Sequence, residues 1–422
     1  MFRTVTRPLG RPCLAGALAV AFLVIPGAFA APASAAATAA RAATPTPRLE
    51  VPPPRVDPFY RPPSPLPPGA PGTIIRSRRV TVQAIPVVPV PVRAWQVLYL
   101  SRSARNEPNA VSGTVLVPAS PWSRGPRPLV SYAVGTHGLG SDCAPSYRLR
   151  TGTEYETSLI GGALLRGWAV AVTDYEGLGT PGPHTYTAGA SQGHAVLDMA
   201  RAAGRLDEAG LSADGPVGIW GYSAAGQSSA WAAELRRSYA PELNVAGVAA
   251  GGVPTDLVGV MNAIEGGPFA GLTLAAAIGL AAAYPDLPFE SMLNSRGERA
   301  AAFARGSCVE AITSRYAFTK ITDFTTVEDP LNEPHWRARI AEQALPQRTP
   351  DVPVLIYHGT LDELIPFSQA EGLRRDYCAR DVAVSWKPIP ANEHVEAAAT
   401  GSPFAVSWLA DRFAGRPAGG DC

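Results

Sequence analysis

The stretch that decides the fold is residues 216–237, PVGIWGYSAAGQSSAWAAELRR. It opens on an apolar run, Val217-Gly218-Ile219-Trp220, as a short strand covered on both faces requires. It closes on an Ala/Leu/Arg-rich stretch from Ala224 with strong helical propensity. Between the two sits Gly221-Tyr222-Ser223-Ala224-Ala225, small side chains around one serine. A strand that turns sharply into a helix brings two backbones together, so small residues must flank the turn and its serine projects from the tip. The first N–H groups of the helix lie beside that serine and favour negative charge. Ser223 is therefore the candidate nucleophile, and the N–H of Ala224 the first candidate oxyanion donor.

A second segment competes. Gly189-Ala190-Ser191-Gln192-Gly193 satisfies G-x-S-x-G literally, whereas the first ends on alanine. Context decides between them. His184-Thr185-Tyr186-Thr187-Ala188 leads into Ser191 from a Gly/Pro-rich loop, and no apolar strand precedes it. Ser191 is expected instead to cap a helix that starts near His194.

Working outward, short apolar runs recur at 129–134, 168–173, 245–250, 352–357 and 382–386. Most are separated by helix-like stretches such as 195–206, a pattern that predicts a mainly parallel sheet flanked by helices. Upstream, 79–82, 95–99 and 113–117 roughly alternate, as half-buried antiparallel strands do. Residues 73–253 and 351–422 then form two parts of one core. The intervening 254–350 is far longer than a crossover needs. It contains an uncharged run, 266–285, that is Ala/Gly-rich and broken by Pro268. An inserted helical cap with an apolar inner surface fits this better than a membrane span.

The ends and the composition narrow the setting. Arg3, Arg7 and Arg11 precede an apolar run at 14–30 and then Ala33-Ser34-Ala35, so 1–35 reads as a signal peptide and the protein as secreted. Residues 36–72 are Ala/Pro-rich, a linker or an extended surface wrap. A net charge of +1 argues against nucleic acid and against anionic membrane surfaces as partners. Beyond the leader lie Cys143, Cys308, Cys378 and Cys422, an even number that suggests two disulfides with three pairings open. None is spaced C-x-x-C, so no metal site is expected.

A serine nucleophile on such a sheet takes its partners in the order Ser, Asp or Glu, His, each from a loop after a strand. After 352–357 comes His358-Gly359-Thr360-Leu361-Asp362-Glu363, and after 382–386 comes Pro390-Ala391-Asn392-Glu393-His394. Asp362 is the expected acid, with Glu363 as its rival, and His394 the expected base; His358 precedes the acid and is out of order. A second oxyanion donor is expected from Gly135-Thr136-His137-Gly138-Leu139-Gly140, from Thr136 or His137, with the choice open. The segment 174–179 reads as a turn shaping the pocket rim.

These residues, taken together, resemble the secretory lipase family, the fungal lipase A type and its bacterial relatives within the α/β-hydrolase superfamily. The likeness runs through Asp57-Pro58-Phe59-Tyr60, the loop 135–146 with Cys143-Ala144-Pro145-Ser146, 174–179, 197–203, 221–225 and Asp362-Glu363-Leu364-Ile365-Pro366. It implies an α/β-hydrolase fold, a triad of Ser223, Asp362 and His394, and an oxyanion hole from 135–138 with Ala224. It also implies a cap over an acyl-binding tunnel and a Cys143–Cys308 disulfide, which leaves Cys378 for Cys422. Ala225 departs from the glycine common in the family, so a narrower pocket beside the nucleophile is expected.

The function expected is a secreted serine ester hydrolase, a lipase cleaving acylglycerols or other lipid esters through an acyl-enzyme. A carboxylesterase or deacetylase for short or bulky soluble esters, or an acyltransferase, would use the same triad. A binding protein on an inactive hydrolase scaffold is the reading from another class. The expected partner is an ester or lipid, met without stable membrane insertion and through transient contact with a lipid surface. No cofactor is implied, because side chains and water suffice for the chemistry.

Overall fold

The run at 217–222 becomes a strand near the middle of a nine-stranded sheet, and the residues after Ser223 become the helix that leaves it. The computed structural model describes residues 51–422; the expected signal peptide and residues 36–50 lie outside the described residues. The strands are β1 (Ile74–Val80), β2 (Gln83–Ile85), β3 (Val88–Pro89), β4 (Val92–Arg102), β5 (Pro108–Pro118), β6 (Leu129–Tyr132), β7 (Ala169–Thr173), β8 (Val217–Tyr222), β9 (Val245–Gly251), β10 (Val354–Gly359) and β11 (Val384–Ile389). β2 and β3 pair only with each other. The rest run in the order β1-β4-β5-β7-β6-β8-β9-β10-β11, antiparallel from β1 to β7 and parallel from β7 to β11.

Helices α1 (Pro145–Thr151), α2 (Thr157–Leu165), α3 (Gly189–Gly204) and α4 (Ala224–Tyr239) connect the first parallel strands. Between β9 and β10 come α5 (Leu257–Ile264), α6 (Gly271–Ala283), α7 (Phe289–Met292), α8 (Ser295–Arg305), α9 (Val309–Arg315) and α10 (Pro334–Ala341). The chain ends through α11 (Phe367–Cys378) and α12 (His394–Phe413).

The insertion supplies most of a second apolar cluster, which includes Leu274 and Leu280 of α6 with Phe324 and Trp336 and extends to Leu139, Tyr186, Ala188 and Ala224 beneath it. The uncharged run supplies α6, whose 13 residues are almost all buried. No helix among the described residues is long and apolar enough to cross a membrane. The Cys143–Cys308 disulfide joins the loop after β6 to the insertion, and Cys378–Cys422 ties the end of α11 to the C-terminus.

One expectation needs correction. β4 and β5 are buried on both faces, not on one. Tyr99 points toward α3, where its Oη donates to the Ala195 carbonyl at 3.0 Å. On the opposite face Leu98 packs with Phe59 and Tyr60, the latter fully buried, so part of the Pro-rich segment covers the sheet. Its anchor is Asp57, whose carboxylate accepts from the guanidinium groups of Arg78 and Arg150. Gln96 and Ser101 of β4 and Ser112 of β5, polar and buried, are paired. Gln96, fully buried, donates to Ser146 Oγ at 3.1 Å and accepts from Arg78 Nε at 2.8 Å.

Candidate active site

Ser223 stands between β8 and α4 with φ 65° and ψ −130°. That positive φ costs an L-residue about 1–3 kcal/mol and persists only where the surroundings hold it. Here its N–H donates to the Gly251 carbonyl at 3.0 Å, and its own carbonyl starts the helix by accepting from Gln227 at 3.1 Å. Ala225 is fully buried inside the turn, and a Cβ on Gly221 would lie 2.6 Å from its own. It does not line the cavity, so the expected narrowing beside Ser223 is not found.

The partners arrive from the two strands anticipated. His394 is the first residue of α12, and its Nε2 lies 2.8 Å from Ser223 Oγ. Its Nδ1 lies 2.7 Å from Asp362 Oδ2. The other carboxylate oxygen accepts from the N–H groups of Leu364 at 3.0 Å and Ile365 at 2.8 Å. Burial alone would raise the Asp362 pKa; hydrogen bonds from His358 and His394 outweigh it and hold the carboxyl well below the usual range. Glu363, the rival acid, takes another place. Its carboxylate accepts from the backbone N–H of His394 at 2.9 Å and so fixes the start of α12.

His358 was set aside by chain order, yet its Nε2 lies 3.1 Å from the same oxygen of Asp362 and 2.9 Å from the Ile365 carbonyl. It therefore packs against Asp362, and no hydrogen bond from it to Ser223 occurs among the described residues. A fully buried histidine at the end of a core strand, four residues before the acid, was the signal available for it.

The loop after β6 places its two candidates differently. Thr136 lines the same cavity as Ser223 and Ala224, and the N–H groups of Thr136 and Ala224 find no acceptor among the described residues. His137 does not line that cavity; its ring is buried, with Nε2 2.9 Å from Glu154 and Nδ1 3.0 Å from the Gly135 carbonyl. Burial alone would lower the His137 pKa, but the charge and hydrogen bond of Glu154 raise it. Glu156, unremarked in the sequence, lines the cavity, and desolvation pushes its carboxyl up to about 7.

The cavity holds about 480 Å³, within the ordinary range for small-molecule sites. Its walls are mostly apolar, with Leu257, Val260 and Met261 from α5 and Leu272 and Ala276 from α6 on the insertion side. Val395 and Ala398 of α12 lie on the other side.

Two sequence readings end elsewhere. Ser191 is not the cap of its helix, because α3 starts at Gly189 and Ser191 falls inside the first turn. The turn 174–179 does not line the cavity. Asp174 is instead fully buried, accepting from Ser146 N at 2.7 Å and Ser112 Oγ at 2.5 Å, and burial pushes its carboxyl up to about 6. No group of three or more potential metal ligands occurs among the described residues.

Comparison with known proteins places these features in company. The family described as secretory lipase matches residues 145–421, a stretch that includes all three residues of the Ser223–His394–Asp362 chain and leaves out the loop 135–137. A probable inactive lipase of Mycobacterium tuberculosis is 35% identical over 376 residues, covering 86% of this chain and 83% of its own. A secreted triacylglycerol lipase of Malassezia globosa is 32% identical over 392 residues, covering 89% and 85%. Among solved structures, Candida antarctica lipase A in its closed state superposes with a TM-score of 0.78 at 30% identity, covering 87% of this chain and 88% of that one.

Proposed function

Since the chain belongs to the secretory lipase family, whose members make it a carboxylic ester hydrolase, we propose that it cleaves lipid esters, acylglycerols first, with Ser223 as nucleophile. The observation that carries this reading is the unbroken chain Ser223 Oγ, His394 Nε2, His394 Nδ1, Asp362 Oδ2, with links of 2.8 and 2.7 Å, set in the wall of an apolar cavity.

In the proposed reaction neutral His394 takes the Ser223 proton as Oγ bonds to the acyl carbon. The carbonyl oxygen becomes an oxyanion, met by the N–H of Ala224 at the start of α4 and by the N–H of Thr136. Collapse breaks the bond to the alcohol oxygen, which receives the proton from His394. Water then repeats the sequence on the acyl-enzyme and releases the acid. Asp362 holds the imidazole tautomer with Nδ1 protonated and stabilises the imidazolium between steps.

The acyl chain is assigned to the α5–α6 side of the cavity, where the walls are aliphatic. Val395 lines the cavity while 71% exposed, which supports transient contact with a lipid surface at the mouth. Export through a signal peptide at 1–35 is part of the same proposal, supported by the family's secretory character.

The Mycobacterium tuberculosis relative carries the word inactive in its name, and that favours a second reading, a hydrolase scaffold without turnover. One experiment separates the two. The mature protein is assayed on p-nitrophenyl esters from acetyl to palmitoyl and labelled with a fluorophosphonate. Turnover persisting to palmitoyl, with label on Ser223, is the expected result. Turnover on short esters alone would make it an esterase, and neither turnover nor label would leave the scaffold reading.

A further inference from the structure

Glu154, Tyr155 and Glu156 meet His137, Thr136 and Gly135 in reverse order along the chain, and Tyr155 also stacks on His137, its Oη 3.0 Å from the ring's Nδ1. The Glu154 carboxylate accepts from His137 Nε2 at 2.9 Å. Tyr155 Oη donates to the Thr136 carbonyl at 2.6 Å. Glu156 Oε1 accepts the Gly135 N–H at 2.8 Å, and its Oε2 accepts from Tyr132 Oη at 2.7 Å. The circuit closes through His137, whose Nδ1 lies 3.0 Å from the Gly135 carbonyl and donates to it in the protonated ring, the form the Glu154 carboxylate favours. The fit is close enough to exclude a side chain: a Cβ at Gly135 would sit 2.7 Å from Glu156 Oε1.

What this holds is a run of peptide planes: Glu156 fixes the plane before the one that carries the Thr136 N–H, and the His137 ring touches that plane itself. The Gly135 carbonyl and the Thr136 N–H belong to one rigid unit and point in opposite directions, so fixing the first aims the second. The Thr136 carbonyl is held in turn by Tyr155, which fixes the next plane. Catalysis by an oxyanion hole depends on donors oriented before the charge develops, because a donor that must turn spends part of its stabilisation on reorganising.

We propose that Glu154, Tyr155, Glu156 and the His137 ring are positioning residues that aim the Thr136 N–H at the oxyanion formed over Ser223. This rests on the ester-hydrolase reading above. It also gives His137 a place in the reaction other than the one its sequence position suggested, through its side chain and not its N–H.

The test compares wild type with Tyr155→Phe, Glu156→Leu and Glu156→Gln on p-nitrophenyl butyrate. Each is also titrated with an alkyl trifluoromethyl ketone, whose adduct with Ser223 carries an oxyanion. Tyr155 is 47% exposed, so loss of its hydroxyl leaves the fold standing. Tyr155→Phe and Glu156→Leu are expected to lower kcat about 10- to 100-fold, somewhat less than outright loss of a donor, with KM within about twofold. Ketone affinity should fall by the same factor as kcat/KM while Tm stays near wild type. Glu156→Gln, whose amide oxygen still accepts from Gly135, should recover most of the loss.

Values of kcat within about twofold of wild type in both Tyr155→Phe and Glu156→Leu would overturn the proposal. So would losses that track KM and Tm while ketone affinity is unchanged, since that pattern marks a structural role. A wild type that neither turns over ester nor takes the ketone would overturn the hydrolase reading itself, so the two failures are distinct.

Discussion

Two five-residue segments of this chain look alike and do different work. Gly221–Ala225 is preceded by β8 and followed by α4; its serine sits at φ 65° with the hydroxyl 2.8 Å from a histidine. Gly189–Gly193 lies wholly within α3, and its serine is buried, donating to Glu176 Oε2 at 2.6 Å. The glycines of the second segment exist for packing. A Cβ on Gly189 would lie 2.0 Å from Trp231 Nε1, and one on Gly193 would lie 3.1 Å from the backbone nitrogen of Ala232. They let α3 lie directly on α4, the helix that follows Ser223. A motif's letters thus carry less information than the elements on either side of it.

The largest expected effect separates the two serines. Ser223→Ala should lower turnover by about four to six powers of ten, read as kcat/KM on a p-nitrophenyl ester. If Ser223→Ala kept its activity and Ser191→Ala lost it, the assignment would be reversed.

Next comes the packing glycine. Gly189→Ala pushes a methyl into Trp231 and should destabilise the protein by about 1–3 kcal/mol, measured by denaturant unfolding, with activity per folded molecule kept. Unchanged stability would mean that α3 and α4 are not in such close contact.

Ser191→Ala should cost about 1 kcal/mol, the net worth of one hydrogen bond, while kcat stays within about twofold. The smallest effect belongs to Ala225→Gly, which restores the glycine common in the family. It should cost under about 1 kcal/mol in helix propensity and leave chain-length preference unaltered, because Ala225 lies inside the turn. A shift in chain-length preference would place Ala225 in the cavity wall after all.

The legible part of this protein was written in local patterns. The central parallel strands β6, β7, β8, β9 and β10 announced themselves as short apolar runs, because a strand buried on both faces favours that composition, whereas β1 carries three arginines and is only partly buried. The elbow was readable because strand, small residues and helix follow one another within 22 residues, 216–237. The order Ser223, Asp362, His394 was readable because a mainly parallel sheet puts the loops after its strands at one edge. The cysteine pairing came from family likeness, since four cysteines alone allow three pairings, and the structure contains the implied pair.

Other features were decided only when distant segments packed. Nothing in the spacing of Glu154, Tyr155 and Glu156 points to residues 135–137; helix α1 lies between them, and only folding brings the two together. Chain order set His358 aside as base, but order cannot say that its buried ring lies 3.1 Å from Asp362 Oδ2. Alternation in β4 suggested one wet face, which the segment around Tyr60 then covered. The sequence by itself determined which elements form and which residues stand at their ends, because those depend on neighbours within a few positions. Tertiary structure alone decided how the peptide planes at 135–137 are held, because a peptide's direction is set by whatever hydrogen bonds to it, however far away in the chain.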